Sequence, residues 1–384
     1  MKEHPHIKKY SKYLFMVLTI MLIIPLLDTI ELSKPKLNGK NIECIIDLDG
    51  YRSPSMAFST GFNYEMLSIF AKDANCSYSI KLAKKREFSL DSLKSDRLQI
   101  VVVPVKDSII SGTQFYVSRQ FADSTVWVIP AGNKNLIKEI NKWYSHFESS
   151  HKYTIVKERF TPSYEPFSRA AKGHKYKNAS PYDHIFKKYS EYLGWDWRLL
   201  AAMVWQESRF HIEVTSPRGA AGLMQMMPST AAKYNINNFL DPEENVEAGV
   251  KYLLRLKKIF SKYASGIELT KITLAAYNAG EGRIMDCINI ARTIDLPYST
   301  WRDIKEVIPF MRDSSYMVND SIAKVRLFKG YETIAYVERV MSLYKAFCVI
   351  APELSLPDQP SRQRAKESAK EALLSKKRLN QPQQ

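Results

Sequence analysis

The chain contains few cysteines, glycines and prolines. It has 4 cysteines, 14 glycines and 18 prolines among 384 residues. Cys44, Cys76, Cys287 and Cys348 form no close CxxC pair, which excludes a zinc ribbon, and they are too few for a disulfide scaffold. Glycine and proline are too scarce for a collagenous or low-complexity chain. We therefore expect ordinary globular domains with packed or loosely paired cysteines.

Acidic residues are outnumbered, with 40 Asp and Glu against 56 Lys and Arg, and the formal net charge is +16. Such a charge attracts polyanions, which include nucleic acid, anionic lipid and a cell wall rich in carboxylates. The charge does not choose among them. The length exceeds what one hydrophobic core usually organises, so two domains are expected.

An apolar run from Tyr13 to Leu27 follows Lys8, Lys9 and Lys12 near the amino terminus. Its position and basic flank predict an export signal within residues 1–30, either a cleaved signal peptide or an uncleaved anchor in the inner membrane. No small-x-small cleavage site and no lipid-attachment cysteine follow the run. We expect a periplasmic, membrane-associated chain that is not a lipoprotein, and we exclude nucleic acid as a partner.

The remaining sequence divides by its apolar periodicity. Residues 40–146 alternate β-rich runs such as QIVVVP with helical stretches and predict an α/β lobe. Residues 147–180 show no sustained apolar period and predict a linker, whereas residues 181–352 have helical spacing and predict an all-α domain. Residues 353–384 are basic and predict a disordered tail. The predicted fold class is an α+β multidomain chain.

The apolar stripe of the helix that Asp196 can cap ends at an acidic residue. Leu199, Leu200, Met203 and Val204 have i, i+3, i+4 spacing, and Glu207 occupies the next position of the stripe. Burial raises the pKa of a carboxyl group and suits it to act as a general acid. The alternative is a structural glutamate that is ion-paired with an arginine at position 198 or 209.

Three further segments accompany this glutamate. The run TSPRGAAGLMQMMP, residues 215–228, has little side-chain bulk, so backbone could approach a ligand and Gln225 could bind it; a tight interhelical turn is the alternative. Asp241 and Pro242 open a helix that we interpret as scaffold. The run LAAYNAGEG leaves Tyr277 and Asn278 at a helix end, where they could contact a sugar ring or form a cap and core.

Taken together, the motifs WQESRF, SPRGAAGLMQMMPSTA, FLDPEENVEAGVKYL, LAAYNAGEG and YETIAYVERV resemble the catalytic domain of the soluble-type lytic transglycosylases, which has a lysozyme-like fold. The resemblance covers residues 205–340. It implies that Glu207 is the catalytic acid and base. It further implies a set of substrate-binding positions: Ser208, Ser216, Gly222, Gln225, Met227, Tyr277, Asn278, Glu332 and Tyr336.

The resemblance implies non-hydrolytic cleavage of the β-1,4 bond between N-acetylmuramic acid and N-acetylglucosamine in peptidoglycan glycan strands, with a 1,6-anhydromuramyl product. One carboxyl group suffices, because the 6-hydroxyl of the sugar replaces water as the nucleophile. No metal or other cofactor is expected. A role in cell wall remodelling or turnover, and contacts with cell wall synthesis proteins, are further expectations.

The amino-terminal lobe, with GFNYEMLSIFAKDANCSYSIKL and STVWVIPAGNKNLIKEINKWY, resembles the first lobe of a type-3 periplasmic solute-binding domain. The pair of domains resembles the F family of membrane-bound lytic transglycosylases. Only residues 106–122 separate the two strands between which a second lobe would lie, so we expect a truncated, one-lobed domain without an interlobe cleft.

Two other functions remain open. A goose-type lysozyme would hydrolyse the same bond with water and would need a second carboxylate or a water-ordering group, for which Glu281 and Glu332 are candidates. A non-catalytic adaptor that only binds glycan predicts damage to the Glu-Ser motif, and Glu207 and Ser208 are intact.

Overall fold

The computed structural model describes residues 37, 39–48, 51, 53, 55–83, 93, 99–106, 115–173, 178–312 and 329–352. These residues form two compact units that divide between Ser163 and Tyr164. The predicted export segment at 1–30 and the predicted tail at 353–384 lie outside the described residues. In the part that is described, no helix has the length and apolar character needed to cross a membrane.

The first unit contains a five-stranded sheet with helices. Its strands are β1 (Asn41–Ile46), β2 (Ser77–Leu82), β3 (Gln99–Pro104), β4 (Phe115–Val117) and β5 (Thr125–Pro130). The order is β2-β1-β3-β5-β4, with β1 parallel to β2 and β3, and β5 antiparallel to β3 and β4. The helices are α1 (Ser59–Asp73), α2 (Lys134–Phe147) and α3 (His151–Phe160).

The two strands β3 and β5 are covered on both faces of the sheet. Every residue of β3 and β5 is buried, as expected for strands between two packed layers. Because side chains alternate along a strand, Val101 and Val128 join one apolar cluster. Trp127 faces the opposite side, where its ring lies 5.8 Å from Phe70 and 6.0 Å from Trp143.

The segment predicted as a linker is partly helical. Besides α3 it contains α4 (Pro166–Ala171), and α3 packs against α1. Tyr153, Val156 and Phe160 are buried at i, i+3 and i+7 on one face of α3. The sequence interpretation overlooked this stripe because two of its three members are aromatic residues within a basic, polar segment. The four cysteines all lie among the described residues, and they form no disulfide bond there.

The second unit is helical. Its helices after α4 are α5 (Asp183–Leu193), α6 (Trp197–Ser208), α7 (Pro228–Lys233), α8 (Pro242–Phe260), α9 (Gly266–Ala279), α10 (Glu281–Thr293), α11 (Trp301–Val307) and α12 (Tyr331–Ile350). The central helix α6 packs against α5 and α12, and α8 packs against α5 and α9.

The predicted helix caps are present. The Asp196 carboxylate accepts a hydrogen bond from the backbone N–H of Arg198 and starts α6. The Asp241 carboxylate accepts from two backbone N–H groups, and Pro242 occupies the first position of α8. A helical domain that follows a small α/β unit is therefore the architecture of the chain; the solute-binding-like nature of the first unit stays a prediction.

Candidate active site

Glu207 lies in the last turn of α6, where the predicted apolar stripe ends. The residues from Leu199 to Val204 are all buried, while Glu207 is partly exposed. The helix stops immediately afterwards, because Arg209 and Phe210 have φ angles of 54° and 66°. Two successive non-glycine residues in the left-handed region are uncommon and indicate a conformation that the surrounding packing imposes. Glu207 is thereby held at an abrupt helix end.

A tyrosine from a distant helix binds Glu207. The Tyr336 hydroxyl, which lies on α12, donates a hydrogen bond of 2.6 Å to Glu207 Oε1. Burial raises the pKa of Glu207 from 4.5 to about 7, although the Tyr336 hydrogen bond acts in the opposite direction. A carboxyl group with a pKa near neutrality can both donate and accept a proton at physiological pH.

Glu207 does not form an ion pair with Arg198 or Arg209 in the structure. Arg198 binds the Asp196 carboxylate through Nε at 2.9 Å and the Ala351 carbonyl oxygen through Nη1 at 3.1 Å. The Arg209 guanidinium lies 4.9 Å from the centre of the Trp205 ring. Among the described residues, Glu207 has no cationic partner, so the hydroxyl of Tyr336 is the group that stabilises its charge.

A second tyrosine, Tyr277 on α9, also lies near Glu207. Its hydroxyl donates a hydrogen bond of 2.7 Å to the Met224 carbonyl oxygen. Burial raises the pKa of Tyr277 well above its usual value, and the charge of Glu207 raises it further. Burial also raises the pKa of Tyr336 well above its usual value, and the charge of Glu207 and the hydrogen bond to it raise it further. The structure therefore brings Glu207, Tyr277 and Tyr336 close to one another.

Hydrogen bonds within the segment between α6 and α7 stabilise its conformation. Isolated bridges pair Ala221 with Thr215 and with Met226. The Ser216 hydroxyl accepts a hydrogen bond of 3.0 Å from the backbone N–H of Ala220. Gln225 donates through Nε2 to the carbonyl oxygens of residues 214 and 222, at 2.8 Å and 3.0 Å. The Gln225 side-chain amide nitrogen therefore holds the segment in place.

Gly222 and Asn245 fix this segment on α8. Gly222 has a φ of +77°, and a Cβ atom there would lie 2.5 Å from the Phe239 carbonyl oxygen and would collide with the Asn245 side chain. The buried Asn245 accepts from the backbone N–H of Met224 at 2.8 Å and donates to the carbonyl oxygens of Ala221 and Phe239 at 3.3 Å each. Gly222 thus has a packing role, which the sequence had not separated from ligand binding.

Other predicted positions differ in what their side chains contact. Ser208 is buried and its hydroxyl donates to the Val204 carbonyl oxygen at 3.3 Å, within its own helix. Asn278 Oδ1 accepts a hydrogen bond of 2.8 Å from the hydroxyl of Thr333 on α12. Met227 is 40% exposed. Glu332 is exposed in the first turn of α12, one helical turn before the tyrosine that binds Glu207. Among the described residues, no contact joins Ser208, Met227 or Glu332 to the carboxyl group of Glu207.

The two candidate second carboxylates lie in other surroundings. Both oxygens of Glu281 bind the guanidinium group of Arg255, one of them at 2.6 Å. Glu332 is exposed. Neither carboxylate is among the groups that shift the pKa of Glu207. In the described part of the chain, Glu207 is accompanied by hydroxyl groups rather than by a second acid.

Sequence reasoning missed three contributors to the site. Asn245 was part of a motif interpreted only as scaffold, and its polar character within an apolar helix face was an available signal. Tyr252 lies behind the site, with its ring centre 5.3 Å from that of Tyr277. Thr333, which binds Asn278, had no distinguishing pattern. In the described residues, no group of three or more His, Cys, Asp and Glu could hold a metal ion.

Comparison with known proteins identifies a family of similar domains. The family model "Transglycosylase SLT domain" matches residues 184–295, which include α6 with Glu207 and α9 with Tyr277. This part of the helical unit is thus similar to a transglycosylase SLT domain. The two ends of the unit, α12 with Tyr336 among them, extend beyond the matched range.

Proteins similar to this chain include several named membrane-bound lytic murein transglycosylase F. One from Desulfosudis oleivorans is 28% identical over 222 residues, covering 57% of this chain and 48% of the relative. Another from Marinobacter nauticus is 28% identical over 241 residues, covering 62% and 47%. The chain thus spans about half the length of these relatives. The soluble lytic transglycosylase SLT70 of Escherichia coli aligns with a TM-score of 0.33 and 22% identity, over 55% of this chain and 32% of SLT70.

Proposed function

We propose that the chain is a peptidoglycan lytic transglycosylase that cleaves the β-1,4 bond between N-acetylmuramic acid and N-acetylglucosamine and forms a 1,6-anhydromuramyl end. The observation that carries the proposal is the state of Glu207: a desolvated carboxyl group with a pKa of about 7 that a tyrosine hydroxyl binds. The SLT domain and the names of the relatives support the same reaction.

The proposed reaction uses Glu207 in both halves. The protonated carboxyl first donates its proton to the glycosidic oxygen as the bond to the anomeric carbon breaks. The resulting carboxylate then accepts the proton of the 6-hydroxyl, whose oxygen attacks the anomeric carbon and closes the anhydro ring. The hydroxyl of Tyr336 stabilises the carboxylate between these steps through its 2.6 Å hydrogen bond.

The absence of a second acid beside Glu207 in the described residues favours this reaction over hydrolysis. A lysozyme would place a carboxylate where it activates water or stabilises the anomeric carbon. Glu281, one of the two candidates, is occupied by Arg255. An internal hydroxyl needs only the one base that Glu207 supplies.

The activity is tested with the full chain and purified peptidoglycan. Wild type is expected to release soluble fragments, and Glu207→Gln is expected to lose at least a thousandfold of the rate, because the amide can neither donate nor accept the proton; general acid-base groups contribute roughly 10²–10⁴-fold per step. Glu338→Gln is the matched control, since Glu338 lies exposed on α12 and binds Lys305 at 3.2 Å. Retained activity in Glu207→Gln would contradict the proposal.

We also propose that the chain is periplasmic and held at the membrane by residues 1–30, with domains at 40–146 and 181–352. The lysine flank and the apolar run support this location, as do the names of the relatives. Fractionation of expressing cells tests it. The chain is expected in the membrane fraction, and deletion of residues 1–30 should leave it in the cytoplasm.

A further inference from the structure

The last turn of α9 meets the first turn of α12 beside the candidate site. The Thr333 hydroxyl on α12 donates a hydrogen bond of 2.8 Å to Asn278 Oδ1 on α9, although the two residues are 55 positions apart in the sequence. Thr333 is 2% exposed, whereas Asn278 is exposed to solvent. The bond therefore joins a buried hydroxyl group to a side chain that a ligand can reach.

This hydrogen bond sets the orientation of the Asn278 amide. A side-chain amide has an oxygen that accepts hydrogen bonds and a nitrogen that donates two of them. Asn278 Oδ1 accepts the proton of the Thr333 hydroxyl, so the amide nitrogen points away from Thr333. Among the described residues, this nitrogen has no hydrogen-bond partner. Asn278 therefore presents N–H donors to a ligand.

The same part of α12 holds a group of the proposed reaction. Thr333 precedes Tyr336 by three residues, and side chains at i and i+3 share one face of a helix. The Tyr336 hydroxyl binds Glu207 at 2.6 Å. Asn278 directly follows Tyr277, whose pKa the charge of Glu207 raises. A glycan strand that is bound over Glu207 can therefore contact the Asn278 nitrogen.

We infer that Thr333 is a positioning residue, which holds the Asn278 amide so that its nitrogen donates to an oxygen of the bound glycan strand. The inference rests on the proposed function. The hydroxyl and acetamido oxygens of the sugars accept hydrogen bonds, and an amide nitrogen is a suitable donor for them. The Thr333 hydroxyl is buried and already bonded, so it acts through Asn278. Because neither the amide nor these oxygens are charged, the contact should stabilise the bound substrate and the transition state equally.

The experiment measures kcat and KM of the full chain on soluble glycan strands that an amidase has released from peptidoglycan. Thr333→Val removes the hydroxyl and keeps the β-branched shape, and Thr333→Ser keeps the hydroxyl. Thr270→Val is the matched control, because Thr270 is also buried and its hydroxyl donates to the Gly266 carbonyl oxygen of its own helix at 3.3 Å. Thr333→Val is also combined with Asn278→Ala.

Thr333→Val is expected to raise KM roughly three- to tenfold, the effect of one neutral hydrogen bond, with kcat within about twofold of wild type. Thr333→Ser and Thr270→Val should both stay within about twofold of wild type. In the Asn278→Ala background, Thr333→Val should raise KM no further, because the two side chains act as one unit.

The pH dependence of kcat/KM separates positioning from a general disturbance of α12. If the substitution displaced the start of this helix, the Tyr336 hydroxyl would leave Glu207, and the pH at which kcat/KM falls would rise. In Thr333→Val this pH should match wild type. A shifted pH, an unchanged KM, a Thr333→Ser variant as impaired as Thr333→Val, or an equal rise of KM in the Asn278→Ala background would overturn the inference and leave the proposed activity in place. If wild type cleaved no strands, the proposed function would fail and the inference with it.

Discussion

The hydrogen bond between Tyr336 and Glu207 makes a specific prediction about pH dependence. The bond of 2.6 Å favours the ionised form of a carboxyl group whose pKa burial has raised to about 7. Hydrogen bonds to charged groups contribute about 1.5–3 kcal/mol, which corresponds to roughly one to two pKa units. Tyr336→Phe removes this bond with little change in side-chain volume, so the pKa of Glu207 should rise above 7 by about one unit.

The direction of the change in pH dependence follows from the role of Glu207 in the proposed reaction. The free enzyme needs a protonated Glu207, so kcat/KM falls as the pH rises through the pKa of that group. In Tyr336→Phe this falling limb should move to higher pH by about one unit. The plateau rate should fall about tenfold, because the carboxylate formed after proton donation loses its hydrogen-bond donor. Release of soluble fragments from peptidoglycan between about pH 5 and pH 9 gives the profile.

A second tyrosine on α12 supplies the control. The Tyr344 hydroxyl donates to Asp196 Oδ2 at 3.0 Å and does not contact Glu207. Tyr344→Phe should therefore leave the falling limb where it is in wild type. A limb that stays fixed in Tyr336→Phe, or one that moves to lower pH, would refute the assignment of this limb to Glu207.

Three further predictions concern stability. Because burial raises the pKa of Glu207 in the folded state, its ionisation opposes folding above about pH 4.5. Glu207→Gln should therefore raise the unfolding free energy, and with it the melting temperature, more at about pH 8 than at about pH 5, by up to roughly 3 kcal/mol. Glu338→Gln should show no such trend. Gly222→Ala should lower the unfolding free energy by about 3 kcal/mol or more through collision with Asn245. Gly219→Ala should lower it by only about 1 kcal/mol, because Gly219 also has a positive φ but a Cβ atom there would make only an ordinary contact of 3.9 Å with the Pro228 side chain. Asn245→Ala should cost about 2–4 kcal/mol because it leaves buried backbone groups without partners. Calorimetry on each variant checks these values, and an unchanged melting temperature for Gly222→Ala or Asn245→Ala would contradict the packing described.

Local patterns predicted the elements that carry the chemistry. The apolar stripe of α6 and its Asp196 cap placed Glu207 at the end of a buried helix face, and the structure has this arrangement. The strands around QIVVVP and STVWVIP were predicted as well. These predictions succeeded because apolar periodicity and capping act over a few residues.

Long-range contacts escaped the same reasoning. Tyr336 is 129 residues from Glu207 in the sequence, and only the packing of α12 against α6 brings the two together. The motif resemblance marked Tyr336 as a cleft position but did not identify its bond to the carboxyl. Asn245 binds the backbone of residues 221, 224 and 239, and no periodic pattern indicates such a role.

The identity of the released glycan ends tests the central claim most directly. Full-length wild type and Glu207→Gln are incubated with purified peptidoglycan, and the soluble products are weighed by mass spectrometry. The single carboxyl at Glu207 predicts 1,6-anhydromuramyl ends from wild type and no release from Glu207→Gln. Products heavier by one water molecule, with reducing ends, would show that water is the nucleophile and would contradict the transglycosylase mechanism.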